Sequence, residues 1–288
     1  MTDLVPDPMS APPLRWGVLA PGGIAAKFVD NVSRFTAGQV VAVGSRDAGR
    51  AAKFAAEHSV ARSYGSYREL VEDPQVEAVY VASPHSEHRD HALLAIGAGK
   101  HVLVEKAFTV NAAQAEEVFD AARAAGVFAM EVMWTRHLPH VAALRAAIER
   151  GEIGDVVTLV ADHGQNMLAL PPTHRMHDPS LAGGALLDLG VYPVSFAHDL
   201  LGVPDEVVAL GSLTPAGGDG QVSIVLSHGG RAPGPPPAAR GAPPPMPMCA
   251  AGATGMGSAA RSRPVSAARS TRSANRARSV SRPTAVQS

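Results

Sequence analysis

Along the first 135 residues, short apolar runs alternate with longer stretches in which apolar positions recur every three or four residues. The runs Leu14–Leu19, Val40–Val43, Ala78–Ala82, His101–Val104 and Val127–Met130 predict strands. The stretches Ile24–Arg34, Ala48–His58, His88–Ala98 and Ala112–Ala125 predict helices. Continuous apolar runs mark strands buried on both faces. Strands alternating with helices in this order form right-handed βαβ units around a parallel, doubly wound α/β sheet, here over residues 14–135.

After residue 135 the pattern changes. Leu138–Arg150 predicts a helix closed by Gly151 and Gly154, and Val156–Ala161 predicts a strand. Ala185–Leu201 is a longer helix, followed by strands at Val207–Leu213 and Val222–Leu226. This order predicts an α+β domain over residues 136–229 with a mostly antiparallel sheet. Three strands leave that sheet incomplete, with Val207–Leu213 and Val222–Leu226 at an exposed edge. From Gly230 to Ser288 there is no Leu, Ile, Phe, Tyr or Trp. Such a stretch cannot bury enough apolar surface to offset its ordering entropy, so disorder is expected. Residues 1–13 read as a disordered leader, lacking the basic start and apolar run of a signal peptide.

Composition changes the picture mainly through charge. The 288 residues carry a formal net charge of −1, but the last 59 hold nine arginines, no lysine and no acid. The body is therefore strongly acidic, which argues against a nucleic-acid-binding core. The single cysteine, Cys249, excludes an internal disulfide framework and a cysteine-built zinc site. No run of 18 apolar residues exists, so no membrane partner is expected, and a cytoplasmic location follows.

Candidate chemistry begins at the loop after the first strand, Ala20-Pro21-Gly22-Gly23-Ile24-Ala25. A Gly-rich turn opening a helix brings backbone N–H groups to a pyrophosphate, the signature of a Rossmann dinucleotide fold. Here Ala20 takes the place of the first glycine and Gly22 the second. At the end of the second strand stands Ser45-Arg46-Asp47. Ser45 and Arg46 suit the 2′-phosphate of NADP, whereas Asp47 is either a ribose-binding acid, as NAD sites have, or the N-cap of the next helix. Glu105-Lys106 closes the fourth strand, on the sheet edge where ligands sit. Asp188 and Tyr192, four apart, share one face of the Ala185–Leu201 helix.

From Arg15 to about Ser227 the chain resembles the glucose-fructose oxidoreductase, inositol dehydrogenase and MocA family. The resemblance is carried by R-W-G-V-L-A-P-G-G-I-A, S-R-D, A-S-P-H-S-E-H, E-K-A-F-T-V-N, M-E-V-M-W-T-R and G-G-A-L-L-D-L-G-V-Y-P, in that order. The M-E-V-M-W-T-R piece and the tyrosine at position 192 are similar to the branch of dihydrodiol and NADP-dependent D-xylose dehydrogenases. The resemblance implies an NADP-dependent (or NAD-dependent) dehydrogenase acting on a secondary alcohol of a sugar or cyclic diol. It assigns Lys106, Asp188 and Tyr192 to catalysis, with Tyr192 as the acid–base group and Asp188 orienting the lysine or the substrate hydroxyls. It assigns Ala20, Gly22, Gly23, Ile24, Ser45, Arg46, Ser83, Pro84, His85, His88, Glu105, Lys106, Trp134 and Arg136 to the cofactor's surroundings. Ala107 stands where a proline usually follows the lysine, which leaves the lysine less rigidly placed.

Other readings stay open at this point. His85, His88 and His91 are spaced by three, but nothing completes a metal shell, and no metal is expected. His88 borders the nicotinamide pocket. Arg175 or His177 contacts substrate, or both sit with Asp162, His163 and His174 in a surface loop. Trp134 lines the pocket or packs between domains. The Arg-rich tail is a nucleic-acid arm, a linker, or the product of a reading-frame slip, and the abrupt change of composition favours the slip. The family suggests a homo-oligomer, which an incomplete second domain makes doubtful. A protein that binds the dinucleotide without turnover is the alternative to an enzyme.

Overall fold

The computed structural model describes residues 4–167, 170–171 and 173–228, and the backbone of 248–254. The described residues form one compact unit. The tail expected to be disordered lies outside the described residues, as do the readings of its origin, except for 248–254.

Six parallel strands build the first sheet: β1 (Arg15–Leu19), β2 (Gln39–Gly44), β3 (Arg62–Tyr64), β4 (Ala78–Val81), β5 (His101–Glu105) and β6 (Ala129–Val132). Their order is β3-β2-β1-β4-β5-β6. The chain direction of travel through the sheet reverses between β1 and β4, the crevice where such sheets bind ligands. Alternate residues serve opposite faces. Val18, Val43 and Tyr80 pack on α1 (Gly23–Phe35) and α2 (Ala48–Glu57) through Ala25, Val29, Phe54 and Ala55. Leu19, Val79, Val81 and Val104 cover the other side with Ala92, Ala95 and Ile96 of α4 (His88–Gly97) and Val118 and Ala122 of α5 (Ala112–Ala125).

The sequence pattern does not predict β3 or the short helix α3 (Tyr67–Glu72). Arg-Ser-Tyr has no apolar run, and this three-residue strand exists because β2 offers it an edge. The leader contains a turn of 3₁₀ helix, Pro8–Ser10, capped by the Asp7 carboxylate.

The second sheet has the order β7-β10-β9-β8, from β7 (Thr158–Gly164), β8 (Glu206–Leu213), β9 (Asp219–Ser227) and β10 (Met248–Thr254). Only β7 and β10 run parallel, so the sheet is mostly antiparallel. β10 falls inside the stretch expected to be disordered, where composition carries no strand pattern, and it fills the gap between β7 and β9. The expected edge is corrected accordingly: β8 is an edge and is exposed throughout, while β9 is paired on both sides. Leu159, Val222, Ile224 and Leu226 pack against Ala197, Leu200 and Leu201 of α7 (Val191–Leu201). A further helix, α6 (Pro139–Glu149), contributes Leu144 and Ile148 to this core.

The predicted helix from Ala185 begins as a π turn, Leu186–Gly190, before it continues as α7. Among the described residues one stretch, Pro179–Leu201, is long and apolar enough by composition to cross a membrane. Its apolar side covers the second sheet, and it carries the buried Asp188.

Candidate active site

Above the carboxyl ends of β1, β4 and β5 lies a cleft of about 760 Å³. Its floor is the turn between β1 and α1. Gly22 is the N-cap of α1, whose first backbone N–H groups lack partners within the helix. A Cβ added at Gly22 or Gly23 would meet no atom within 4 Å. There is therefore room for a pyrophosphate to approach the backbone, and the residues present fit a dinucleotide. Ala20, in the first glycine position, takes a left-handed φ of 71°. An L-residue with a Cβ pays about 1 kcal/mol for this relative to glycine, so the substitution is tolerated at a modest cost.

At one end of the cleft Ser45, Arg46, Asp47, Arg50 and Tyr67 form the wall. Asp47 Oδ1 accepts the Arg50 N–H at 3.0 Å, so this carboxylate is the N-cap of α2. The ambiguity at Asp47 thus resolves toward the cap, and two guanidinium groups face a pocket rimmed by a hydroxyl. Arg50 and Tyr67 escape the sequence reading. Arg50 follows S-R-D at a spacing that carries no meaning until the turn is folded, and Tyr67 arrives on the unpredicted α3.

At the other end the elements of both domains meet. Lys106, released at the end of β5, donates from Nζ to the Asp188 carboxylate at 3.0 Å and to the Asp188 carbonyl at 2.9 Å. The same Nζ lies 5.3 Å from the centre of the Tyr192 ring. Arg175 places a second cation 3.0 Å from Asp188 Oδ1. Burial pushes the Asp188 carboxyl up, but Lys106 and Arg175 outweigh it and hold it below the ordinary range. The π turn sets the rotation between Asp188 and Tyr192 so that both reach one lysine. Trp134 donates its indole N–H to the Tyr192 hydroxyl at 3.2 Å, and the His163 ring lies 5.1 Å from that of Tyr192.

Of the remaining expected residues, Ile24, Ser83, Pro84, His85, Glu105 and Trp134 line the cleft. His85 is buried, with Nδ1 3.2 Å from the Ala182 carbonyl and Nε2 3.2 Å from that of Lys106. Burial, with the nearby cations adding to it, drives its pKa down to about 4. Glu105 accepts the Tyr80 hydroxyl at 2.6 Å, and burial raises its carboxyl pKa.

Two expectations are corrected. His88 does not border the cleft: it is fully buried, with its ring nitrogens 2.8 Å from the carbonyls of Ala107 and Ser83. Arg136 is spent elsewhere, donating to the Ser195 hydroxyl at 2.9 Å and approaching His198, so it ties the chain before α6 to α7. His88 is turned inward between the Ser83 and Ala107 carbonyls, and Arg136 is drawn to α7, 59 residues further along the chain. The Lys106–Ala107 peptide is cis, and the carbonyls of Lys106 and Ala107 lie within hydrogen-bond distance of His85 and His88. Of the open loop residues, Arg175 reaches the cleft; His177 carries a buried Nε2 without a partner among the described residues.

Comparison with known proteins agrees with this geometry. A family profile described as an oxidoreductase family with an NAD-binding Rossmann fold matches residues 14–132, and the GFO/IDH/MocA C-terminal domain matches residues 141–250. Trans-1,2-dihydrobenzene-1,2-diol dehydrogenase of Bos taurus is 40% identical over 221 residues, covering 75% of this chain and 65% of that protein. D-xylose 1-dehydrogenase (NADP(+)) of Hypocrea jecorina is 40% identical over 245 residues, covering 74% and 62%. The chain thus spans a little under two thirds of the length of these relatives. Among solved structures, an NAD binding oxidoreductase from Klebsiella pneumoniae superposes with a TM-score of 0.73 at 28% identity, over 84% of this chain and 67% of that one. KijD10, a 3-ketoreductase from Actinomadura kijaniata in complex with NADP and TDP-benzene, gives 0.71 at 28% identity, over 84% and 70%. Parallel-sheet order, phosphate turn and the lysine–aspartate–tyrosine group coincide with two matching domain profiles, and the chain belongs to the GFO/IDH/MocA oxidoreductase family.

Proposed function

We propose that this protein is an NADP-dependent dehydrogenase acting on a secondary alcohol of a small sugar or cyclic diol. The observation that carries the reading is the meeting of Lys106, Asp188 and Tyr192 at one end of a cleft whose other end is built for a phosphorylated ribose. The nicotinamide, when bound, supplies the hydride acceptor. Gly22, Gly23 and the start of α1 would hold its pyrophosphate, and Ser45, Arg46 and Arg50 the 2′-phosphate.

The protein's own contribution is proton handling and orientation. Tyr192 takes the substrate hydroxyl proton at Oη. The Lys106 ammonium over its ring and the Trp134 N–H on its oxygen both favour the negative charge that develops there. Asp188, held ionised by two cations, fixes the lysine rather than exchanging protons itself. The names of the relatives support the substrate class, since one acts on a dihydrodiol and another on D-xylose with NADP(+).

A binding-only protein is the competing reading, and the assembled group at Lys106 favours turnover. The deciding measurement is reduction of NADP and NAD over a panel of aldoses and trans-diols. Turnover is expected with NADP, and Tyr192→Phe should lower kcat by about 10²-fold or more. Tight cofactor binding with no reduction by any member of the panel would sink the reading.

A further inference from the structure

Glu131 stands in the M-E-V-M-W-T-R stretch on β6, and the reaction above gives it no part. Its side chain crosses to the exit of the neighbouring strand, where Oε1 accepts the Phe108 N–H at 2.9 Å. Phe108 lies two residues beyond Lys106, in the turn where the chain has left β5 and no ladder partner remains. Three consecutive residues of that turn each meet a different side chain: the Lys106 carbonyl lies 3.2 Å from His85 Nε2, the Ala107 carbonyl 2.8 Å from His88 Nδ1, and the Phe108 N–H is donated to Glu131.

The three holds are not equivalent. Both histidines come from the β4–α4 region, so they hold the turn from one neighbour of β5. Glu131 holds it from the other neighbour, β6. Phe108 is only 8% exposed. Removing its acceptor would orphan a buried N–H, and the turn would have to move to find water or another partner. Lys106 begins that turn, and its Nζ must stay within hydrogen-bond distance of Asp188 and over Tyr192. A displacement of about 1 Å in such a group can cost about 10²-fold in rate.

We propose that Glu131 is a positioning residue, which fixes the Lys106 ammonium against Asp188 by anchoring the following turn at Phe108 from the β6 side. The role rests on the reaction assigned to Lys106. It is distinct from a charge effect, because the hydrogen bond needs an acceptor oxygen and not a net charge.

Three full-length variants separate the two: Glu131→Gln keeps a carbonyl acceptor without the charge, Glu131→Ala removes both, and Glu131→Asp withdraws the acceptor by one methylene. The first readout is the rate at which Lys106 is reductively methylated, followed by mass spectrometry, which needs no turnover. Lys106 should be labelled about fivefold faster in Glu131→Ala and at nearly the native rate in Glu131→Gln. The second is kcat on whichever substrate the panel yields, expected to fall about 10–100-fold in Glu131→Ala with NADPH affinity nearly unchanged, and to recover in Glu131→Gln. If Glu131→Ala does not fold, Glu131→Asp carries the test and should show the same rise in labelling. Native labelling in the Ala or Asp variant would overturn the proposal, as would a Gln variant as impaired as the Ala one. Absence of turnover in the native protein would count against the proposed reaction alone, since the labelling still decides the role of Glu131.

Discussion

At the scale of single residues, the electrostatics of the cleft divide into two cationic ends. One has Arg46 and Arg50 on the cleft wall, without an acidic partner among the described residues, while the nearby Asp47 caps α2. The other has Lys106 and Arg175 sharing Asp188. This difference predicts where cofactor discrimination lies. Charge-assisted hydrogen bonds contribute about 1.5–3 kcal/mol each, so Arg46→Ala with Arg50→Ala should weaken NADP binding by at least about 10²-fold. NAD binding should change little, because NAD lacks the 2′-phosphate. Fluorescence titration with both reduced cofactors checks this, and equal losses for the two would show that the arginines do not read the phosphate.

At the scale of elements, the helix that carries Asp188 and Tyr192 depends on how it starts. Gly184 has a φ of 154°, and a Cβ built there would lie 2.0 Å from Asp219 Oδ1. Asp219 begins β9, and its carboxylate accepts the Leu186 N–H at the first turn of the helix. Glycine is thus required by contact as well as by conformation. Gly184→Ala should destabilise the protein by about 3 kcal/mol, since Asp219 must leave its cap for the methyl to fit. Urea denaturation measures the cost. A variant within 0.5 kcal/mol of the native value, roughly the scatter of surface substitutions, would mean that the helix start is not packed as described.

The first turn of that helix also illustrates a limit on reading sequence. Positions 188 and 192 are four apart, and an α-helix would bring them to one face. The structure reaches a similar result through a π turn, which changes the angle at which each side chain meets Lys106. π turns recur at functional sites because they re-aim one residue while leaving the rest of the helix in place. Nothing in L-L-D-L-G announces it. Gly183, three residues before it, lies so close to the carbonyls of Arg175 and Asp178 that no side chain fits there.

At the scale of the whole molecule, the two domains are joined beside the site by His85. Its imidazole lies between the Lys106 carbonyl in one domain and the Ala182 carbonyl in the other, 3.2 Å from each, and the neutral ring donates its single N–H to one of them. Burial lowers its pKa to about 4, below the ordinary value near 6.5. The folded state therefore binds fewer protons than the unfolded chain between these two values, and stability rises with pH across that window. The contribution of His85 is complete above about pH 6.5 and is lost as pH falls toward about 4. His88, also depressed by burial, adds to the same slope. Urea midpoints at pH 7, 5.5 and 4 should fall progressively, and His85→Gln should flatten the decline. An unchanged slope in that variant would place the acid sensitivity elsewhere.

How much was legible in advance follows from the range of the interactions involved. The alternation of apolar runs with amphipathic stretches settled five of the six strands of the first sheet, since that signal is local and the central strands are buried on both faces. The phosphate turn and Ser45-Arg46 were legible for the same reason: their geometry is set within a few residues. Lys106, Asp188 and Tyr192 were brought together by the family resemblance and not by any local pattern, because 82 residues separate the lysine from the aspartate it binds. Only tertiary structure decided that Asp47 caps a helix, that Arg136 and His88 are consumed in packing, and that Arg50, Tyr67 and Glu131 turn toward the site. It alone placed Met248–Thr254 between β7 and β9. Apart from the Asp47 cap, these outcomes depend on groups brought together from distant segments, and the order of residues along one segment carries no record of that.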